Sequence, residues 1–372
     1  MIRVLYDHQA FLLQGIGGIS RYFAELMCQF ASGQQVRPLH SALLSQSVYG
    51  PILPPPRPFR IIRSRSVSRS VNSVAARILL AFGKIDVFHP TYYDTRALLP
   101  AAGMPLVVTV YDMMHELFPE LGGRDPLTIA NKRAMVTAAS RVIAISETTR
   151  QDIVRIIGVP QERVDVVHLA TRFDAAMAGA LLPGIQGPFV LYVGTRGFYK
   201  NFPFLVKALA SIPAARRPRL VCAGGGPFTG EEQGFIAGLG MQQDVSAFPR
   251  VTDSELASLY CGAACLAFPS HYEGFGLPLL EAFACRCPVV AAKAGPVPEI
   301  AADAALYFGP DDVGGCAAAI DRVTHDRAEA ERLKKAGAVR GRDYSWEKTA
   351  AQTVDVYKRA MAAAGRGGAA LP

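Results

Sequence analysis

The sequence of 372 residues has no run of about 18 or more uncharged apolar residues, so it predicts no membrane-spanning helix. Its first residues, MIRVLYDHQAFL, lack the basic, apolar and small-residue order of a signal peptide, and we interpret them as a first strand. The Asp-x-Asp pair is also missing, as is any short-period repeat. The missing span and signal pattern predict a cytoplasmic protein without a leader, and the missing Asp-x-Asp pair disfavours a divalent-metal site.

Cysteine is scarce, odd in number and scattered, at Cys28, Cys222, Cys261, Cys265, Cys285, Cys287 and Cys316. This usage is typical of buried thiols in a reducing cytosol. Cys285 and Cys287 have no second pair at metal-ligand spacing and no accompanying histidine, so we predict no zinc site and no other metal.

Acidic residues are fewer than basic ones, so the formal net charge is +8. A net positive charge favours anionic partners. Much of the excess lies in one arginine-rich segment, at Arg57, Arg60, Arg63, Arg65, Arg69 and Arg77. A basic loop that leads into an amphipathic helix is suited to peripheral contact with an anionic membrane surface, and a solvated basic face explains the segment equally well. Aromatic residues that could stack bases are missing there, so we predict no nucleic-acid partner.

Strand-like and helix-like runs alternate along the whole chain. The strand-like runs are RVLYD, RPFRII, DVFHP, LVVTVYD, RVIAIS and VDVVHL in the first half, and FVLYVG, RLVCAGG, VSAFP, CLAFPS, PVVAAKA and ALYFG in the second. Continuous apolar runs are typical of parallel strands covered on both faces. Helical spacing marks GISRYFAELMCQFAS, SETTRQDIVRIIG and TDSELASLYCGAA, the last with a capping box from Thr252 to Glu255. The pattern predicts an α/β protein with doubly wound sheets.

The two series of strands are too long for one sheet, and we predict two Rossmann-like domains that face a cleft. A stretch rich in small residues, TRFDAAMAGALLPGIQGP, separates them. The expected division is an N-terminal domain at 1–172, a hinge at 173–187, a C-terminal domain at 188–345, and a final helix and tail at 346–372.

Two glycine-rich loops follow strands and precede helices, where free amides can bind anions. Gly15, Gly17 and Gly18 form the first such loop, although a purely structural turn is an equal explanation. The loop does not match G-x-G-x-x-G, which disfavours a nicotinamide dehydrogenase. Gly224, Gly225 and Gly226 form the second, against which a base or ribose could lie.

A third loop, YVGTRGFYKN, places Arg196 and Lys200 beside a glycine turn and a helix start. Two cations at such a point suit a diphosphate, since they add Coulomb attraction to directed N–H donors. The alternative is a pair of solvent-facing cations.

The stretch HYEGFGLPLLEAF sets Glu273 in a glycine-broken turn and Glu281 one turn into a helix that opens with Pro278. The amides of Phe275, Gly276 and Leu277 lie between the two acids. Carboxylates bind hydroxyl pairs and amides bind phosphate, so the arrangement suits a phosphate between two polyols, as in a nucleotide sugar. A capped helix with two surface acids is the alternative.

Together these motifs resemble those of the retaining glycosyltransferases of family 4. The resemblance implies the GT-B fold of that family, in which the C-terminal helix returns to the N-terminal domain. The likeness covers nearly the whole chain and is densest from Phe189 to Pro310; GGISRYF resembles the family's N-terminal glycine loop. The resemblance implies that Glu281 holds the donor ribose and that Glu273 contacts the sugar. It also implies that Lys200 and Arg196 neutralise the diphosphate in place of a metal. One departure is Thr195, which stands where the family often has its loop arginine, so that Arg196 lies one position later.

The resemblance further implies front-face transfer of a hexose, with GDP-mannose as the favoured donor and no cofactor. The acceptor would be a glycan or a lipid-linked oligosaccharide of bacterial polysaccharide or lipopolysaccharide assembly. Alternatives are an epimerase or phosphorolytic enzyme of the same fold, or a non-catalytic sugar-nucleotide-binding subunit. In the N-terminal half Asp112 and His115 follow a strand, and His115 could contact the transferred sugar or the acceptor. A purely structural histidine at the strand end is the alternative. His89 has a similar position, whereas His168 and His271 are interpreted as structural.

Overall fold

The computed structural model describes residues 1–15, 17–45, 47–49, 52–54, 64–98, 101–118 and 125–367. These residues form two compact units. The first comprises the described residues up to Leu117, those of 125–169 and those of 345–367, and the second comprises Phe118 and 170–344.

Parallel strands form the centre of the first unit: β1 Ile2–Tyr6, β2 Val36–His40, β3 Val87–His89, β4 Val107–Val110, β5 Arg141–Ala144 and β6 Val164–Val166. They pair in the orders β2-β1-β3 and β4-β5-β6, and a parallel bridge from Phe88 to Leu106 connects the two sets. Strands β3 and β4 are buried throughout, as their uninterrupted apolar runs predict.

Strand β2 is absent from the predicted strands. It lies at the sheet edge, contains Pro38, and alternates between buried and exposed or half-buried residues. An edge strand tolerates proline and needs no continuous apolar run, so the sequence signal is weak there. The predicted strand RPFRII lies outside the described residues.

Seven helices of the described chain belong to the first unit: α1 Gln9–Leu13, α2 Gly18–Ser32, α3 Arg65–Phe82, α4 Met114–Leu117, α5 Pro126–Ala138, α6 Glu147–Ile157 and α14 Trp346–Gly367. The last helix, α14, packs on this unit, as the sequence predicts. Its Tyr357 hydroxyl lies 2.7 Å from that of Tyr6 and 2.8 Å from Nδ1 of His89, so α14 is bonded to two strands.

The second unit has one six-stranded parallel sheet, made of β7 Phe189–Val193, β8 Arg219–Ala223, β9 Val245–Phe248, β10 Cys265–Phe268, β11 Val289–Ala292 and β12 Ala305–Phe308. The order is β12-β11-β10-β7-β8-β9. The chain therefore runs outward from β7 to β9 and then returns to β7's other side with β10. Such a reversal is the point where doubly wound sheets bind ligands.

Helices cover this sheet: α7 Phe202–Ser211, α8 Gly230–Gly238, α9 Asp253–Gly262, α10 Leu277–Ala284, α11 Val297–Ala301, α12 Val313–His325 and α13 Arg327–Gly341. The predicted capping box at Thr252 and Glu255 opens α9. No helix in the described part of the chain combines the length and hydropathy of a membrane span.

The segment predicted as a hinge lies on the second unit. Ser254 of α9 donates to the carbonyl of Met177 at 2.8 Å, and the amide of Gly179 donates to Ser258 at 2.8 Å. Before the final helix, the first unit ends at Leu169, three residues before the predicted boundary at 172.

Candidate active site

The loops after β7 and β10 meet at the carboxyl end of the second sheet, because these two strands are neighbours. The β7 loop contains Lys200 and the β10 loop contains Glu273. The amide of His271 donates to the carbonyl of Tyr199 at 2.8 Å and joins the two loops directly. The sheet thereby assembles one site from segments far apart in sequence.

Lys200 and Glu273 form an ion pair, with Nζ 2.8 Å from Oε1. Both side chains are largely buried, at 13% and 16% exposure. Ser270 donates to the same Oε1 at 3.0 Å, so the carboxylate is held from two sides. The rings of Tyr199 and Phe268 lie 5.5 and 5.7 Å from Nζ and add cation–π attraction.

The Lys200 ammonium keeps its charge in this enclosed position. Burial disfavours the ammonium, but attraction to Glu273 and Tyr199 and the hydrogen bond to Glu273 outweigh burial and raise its pKa above the ordinary value. A lysine whose pKa is raised is protonated at neutral pH. The site thus contains an ammonium group whose charge is paired with the Glu273 carboxylate.

Glycine at 194 is required where the β7 loop passes Lys200. Gly194 has φ of +113°, and a Cβ there would lie 3.3 Å from Cε of Lys200. A side chain would combine a strained backbone with contact against the lysine.

Glu281, the second predicted acid, is in α10 and only 7% exposed. The buried hydroxyl of Tyr260 donates to its Oε2 at 2.9 Å. Desolvation, reinforced by the Glu281 charge, raises the pKa of Tyr260 well above its ordinary value, so the phenol remains a donor. Tyr260 fixes the orientation of Glu281.

The predicted backbone donors lie at the start of α10. Gly276 precedes the helix with φ of +100°, and Pro278 occupies its first turn. No side chain caps this end, and the amides of Gly276 and Leu277 have no hydrogen-bond partner within the described residues. Phe275 anchors the turn by packing edge-on against Tyr344, with ring centroids 5.8 Å apart. A helix N-terminus of this kind attracts an anion.

Arg196 does not pair with Glu273 as Lys200 does. Its Nε lies 2.7 Å from Oε1 of Glu232, and its side chain is 3% exposed. Its terminal nitrogens donate to the carbonyls of the turn after β8, at Gly224, Gly225, Gly226 and Pro227, over 2.8–3.3 Å. The guanidinium is also 4.8 Å from the ring of Phe228. Its diphosphate contact stays a prediction, and the contacts present indicate that it holds the β8–α8 turn together.

The packing of Arg196 against the turn after β8 explains why residue 225 is a glycine. Gly225 has φ of +74°, and a Cβ there would lie 2.7 Å from the carbonyl oxygen of Gly194 and 2.9 Å from a guanidinium nitrogen of Arg196. The neighbours that exclude a side chain at Gly225 are therefore protein atoms.

The candidates of the N-terminal half lie in the first unit. His115 is in α4, and its Nδ1 is buried without a hydrogen-bond partner within the described residues. Asp112 accepts from the amide of Met114 at 3.1 Å. Lys132 of α5 donates to the side chain of Glu116 in α4 and to the Asp112 carbonyl, each at 2.9 Å. This buried lysine fixes the segment that carries His115.

The glycine loop at the start of α2 is contacted by the side chain of Gln14, which belongs to the same loop. The helix begins at Gly18, and Oε1 of Gln14 accepts from the amide of Ile19 at 3.2 Å. A Cβ at Gly17 would overlap the Gln14 side chain. The structure therefore explains Gly17 by local packing, and anion binding at Gly17 and Gly18 stays a prediction.

His89 is a structural residue. It is fully buried, bonded through Nδ1 to Tyr357 and through Nε2 to Thr109 at 2.9 Å. Burial lowers its pKa to about 3, so the imidazole is neutral. With both nitrogens occupied, it has none left for a substrate.

Sequence reasoning missed Tyr260, Ser270, Glu232 and Lys132 as partners of the candidate residues. Tyr260 lies on a helix whose apolar periodicity explains its burial equally well, and no local pattern distinguishes Lys132 from a surface lysine. Among these residues, Glu232 could have been found from the sequence. Thr229 and Glu232 have the spacing of a capping box, and the structure shows this capping box at the start of α8.

Two family models match the chain and together span most of it. The model described as Glycosyltransferase Family 4 matches residues 16–174, and that described as Glycosyl transferases group 1 matches residues 183–340.

Three curated relatives are similar over most of their length. O-antigen chain mannosyltransferase B of Escherichia coli is 29% identical over 72% of this chain and 74% of its own. The MMP alpha-(1->4)-mannosyltransferase of Mycolicibacterium hassiacum is 28% identical over 82% of this chain and 83% of its own. The D-inositol 3-phosphate glycosyltransferase of Mycolicibacterium smegmatis is 31% identical over 75% of this chain and 68% of its own.

Solved structures share the fold. The sucrose-phosphate synthase of Thermosynechococcus elongatus superposes with a TM-score of 0.75 at 22% identity, over 98% of this chain and all of the other. Anabaena Alr3699/HepE in complex with UDP-glucose gives a TM-score of 0.72 at 19% identity, over 95% of this chain and 99% of its own.

Proposed function

Since the chain belongs to the family 4 glycosyltransferases and transfers a sugar from a nucleotide sugar, we propose that the second unit binds the donor around Lys200 and α10. The observation that carries this proposal is the buried, charged Lys200–Glu273 pair beside the uncapped start of α10, at the reversal of strand order. A cation and two free amides suit a diphosphate, and flanking carboxylates suit hydroxyl groups.

Each residue has a distinct role in this proposal. The Lys200 ammonium and the amides of Gly276 and Leu277 bind the diphosphate. Glu281, oriented by Tyr260, accepts hydrogen bonds from the ribose, and Glu273 contacts hydroxyls of the transferred sugar. His115, on the first unit, contacts the sugar or the acceptor hydroxyl.

The chemistry follows from where charge develops. The bond from the anomeric carbon to the diphosphate oxygen breaks, so the diphosphate gains negative charge and the sugar gains positive charge. Lys200 and the α10 amides stabilise the leaving group without a metal ion. The acceptor hydroxyl attacks from the face that the diphosphate leaves, and its proton passes to the departing phosphate oxygen. The products are a glycoside with retained anomeric configuration and a nucleoside diphosphate.

The donor we favour is GDP-mannose, since two of the three relatives above are named as mannosyltransferases. The acceptor we favour is a lipid-linked glycan of bacterial surface-polysaccharide assembly, as the name of the E. coli relative suggests. We place the reaction in the cytoplasm, where nucleotide sugars are made.

Calorimetric titration tests the donor site. GDP, UDP, ADP and dTDP are compared in EDTA, with wild-type protein and with Glu281→Gln. We expect one nucleotide to bind at micromolar affinity and the variant to weaken it at least about tenfold, because a charged hydrogen bond to ribose contributes about 1.5–3 kcal/mol. Binding that appears only with Mg²⁺ or Mn²⁺, or that is unchanged in Glu281→Gln, contradicts the proposed site.

Product analysis tests the reaction. Incubation with GDP-mannose and a mannose-terminated acceptor is expected to release GDP only when the acceptor is present, and NMR of the product is expected to show an α-linkage. Epimerised donor without GDP release would indicate the epimerase alternative, and a β-linked product would exclude retention.

A further inference from the structure

The Lys200–Glu273 ion pair places a carboxylate at the point where the proposed donor site needs a cation. Nζ of Lys200 lies 2.8 Å from Oε1 of Glu273, and both side chains are largely buried. Arg196, the other cation of the β7 loop, is paired with Glu232 and donates to the carbonyl of Pro227. The Lys200 ammonium therefore meets an incoming diphosphate with its charge already balanced by Glu273.

The loops after β7 and β10 hold this carboxylate beside the ammonium. The amide of His271 donates to the carbonyl of Tyr199 at 2.8 Å, so the loops are bonded to each other next to both members of the ion pair. Ser270, which is 2% exposed, donates to Oε1 of Glu273 at 3.0 Å. The backbone of Glu273 also packs against Gly295, where a Cβ would lie 3.6 Å from the Glu273 nitrogen.

A nucleoside diphosphate bound at Lys200 is repelled by Glu273. An ammonium has more than one N–H group, so Lys200 can bond to a phosphate oxygen and to the carboxylate at once. The two anions then lie close together in an enclosed position, where the low dielectric strengthens their repulsion. Hydroxyl groups of a bound sugar offset this repulsion, because they donate to the carboxylate that the lysine no longer neutralises alone.

From this arrangement we infer that Glu273 determines specificity by disfavouring a nucleoside diphosphate that lacks a sugar. The hydroxyl groups of the sugar compensate for the repulsion in the donor, and the product has none to offer. The inference rests on the proposed function, which places the diphosphate at Lys200 and the sugar at Glu273. It adds an unfavourable contribution of Glu273 to product binding, so that the donor displaces the nucleoside diphosphate left after transfer.

Calorimetric titration in EDTA tests the inference with wild-type protein and Glu273→Gln. The ligands are GDP and GDP-mannose, or the corresponding pair for whichever nucleotide binds. Inorganic pyrophosphate is a third ligand, because it contains the diphosphate without base, ribose or sugar. The matched control is Glu331→Gln, which removes one negative charge at an exposed position on α13 of the same unit.

We expect Glu273→Gln to bind GDP and pyrophosphate at least about threefold more tightly than wild-type protein, because the repulsion is removed. GDP-mannose should bind no more tightly, because the variant also loses charged hydrogen bonds to the sugar. The preference for GDP-mannose over GDP should therefore fall at least about tenfold. Glu331→Gln should leave the affinities for both nucleotides unchanged.

Three results overturn the inference. The first is an affinity for GDP that is unchanged or lower in Glu273→Gln. The second is an equal gain for GDP and GDP-mannose, since the sugar would then make no compensating contact with Glu273. The third is tighter GDP binding in the Glu331→Gln control, because the net charge of the protein would then account for the gain.

Misfolding is distinguished by the sign of the effect, since an unfolded protein does not bind GDP more tightly. A Glu273→Gln protein that binds neither nucleotide and has an altered near-UV circular dichroism spectrum is replaced by Glu273→Met. This variant has a similar volume and no charge, and it must bind GDP more tightly than wild-type protein, or the inference fails.

Glu281→Gln separates the inference from the proposed function. Ribose is common to GDP and GDP-mannose, so this variant should weaken the binding of both. If both affinities are unchanged in Glu281→Gln, the donor site is misplaced and the proposed function fails. If Glu281→Gln weakens both and Glu273→Gln also weakens GDP, the donor site stands and the inference alone fails.

Discussion

At the scale of single residues, Lys200 and Arg196 show how two similar cations acquire different environments. Both precede α7, and the sequence predicts the same partner for both. Lys200 meets Glu273 from the adjacent β10 loop, whereas Arg196 meets Glu232 of α8 and the carbonyls of the glycine turn. The partner of each is set by which strand lies alongside, and local sequence contains no information on that neighbour.

Replacing Lys200 by methionine is the sharpest single-residue prediction. We expect kcat to fall by about 10²–10³-fold, since the variant removes the positive charge that the leaving diphosphate needs. Steady-state release of nucleoside diphosphate measures the effect. Lys334→Met is the matched control, because Lys334 pairs with Glu331 at the surface and is remote from the candidate residues in sequence.

A kcat for Lys200→Met equal to that of the Lys334→Met control would contradict the assigned role. The folded fraction of each variant is measured by near-UV circular dichroism, and kcat is corrected for unfolded protein. A loss of stability alone therefore does not lower the corrected kcat. Lys200→Arg provides a further comparison, since it restores the charge with a different shape.

At the scale of elements, predictability depends on how much of each element is buried. All six strands of the second sheet are predicted, and the buried central strands β7, β10 and β11 show the continuous apolar runs of parallel strands covered on both faces. The edge strand β9 is only partly buried and is predicted as well, whereas the missed edge strand β2 contains Pro38. The start of α10 was readable from Gly276 and Pro278, whereas the hydroxyl of Tyr260 on Glu281 joins two helices and has no counterpart in local sequence.

The contact of α14 with the first sheet makes the stability of that unit sensitive to acid. His89 has a pKa of about 3 when folded, below its ordinary value of about 6.5, because it is buried. Below pH 6.5 the unfolded chain binds a proton that the folded chain does not bind until about pH 3. Stability therefore falls with falling pH across this window, by up to about 1.4 kcal/mol per pH unit from His89 alone.

Urea unfolding at several values between pH 7 and pH 4 checks this expectation. His89→Gln is expected to be less stable at pH 7 but to lose stability less steeply with acid, because glutamine does not titrate. His325→Gln, at a partly exposed position on α12, controls for loss of a histidine. Identical slopes in the two variants would show that His89 does not cause the acid sensitivity.

At the scale of the whole molecule, each unit has its own sheet, and we expect ligands and acid to act on different units. Donor nucleotide is proposed to bind the second unit, whereas His89 lies in the first. Scanning calorimetry with the favoured nucleoside diphosphate at about one hundred times its Kd should stabilise the folded protein by about 2.7 kcal/mol. The shift should be the same in EDTA as in Mg²⁺, since in the proposed site protein groups take the place of a metal.

A shift in Tm that requires the divalent ion would reject metal-independent binding. The same scan with Glu281→Gln, which removes a charge without removing volume, should show a smaller shift. The nucleoside with the same base serves as a ligand control, because it lacks the diphosphate that Lys200 and α10 are proposed to bind.

Lys200 and Glu273 are 73 residues apart in the sequence, and this separation affects how the site forms during folding. Their ion pair forms only after β10 has aligned beside β7, which requires closure of the long intervening chain through β8 and β9. Nucleotide affinity at the proposed site therefore requires β10 to be in place beside β7. During refolding a fluorescent nucleotide would report the arrival of β10, a step that far-UV spectroscopy, which follows helix content, registers poorly.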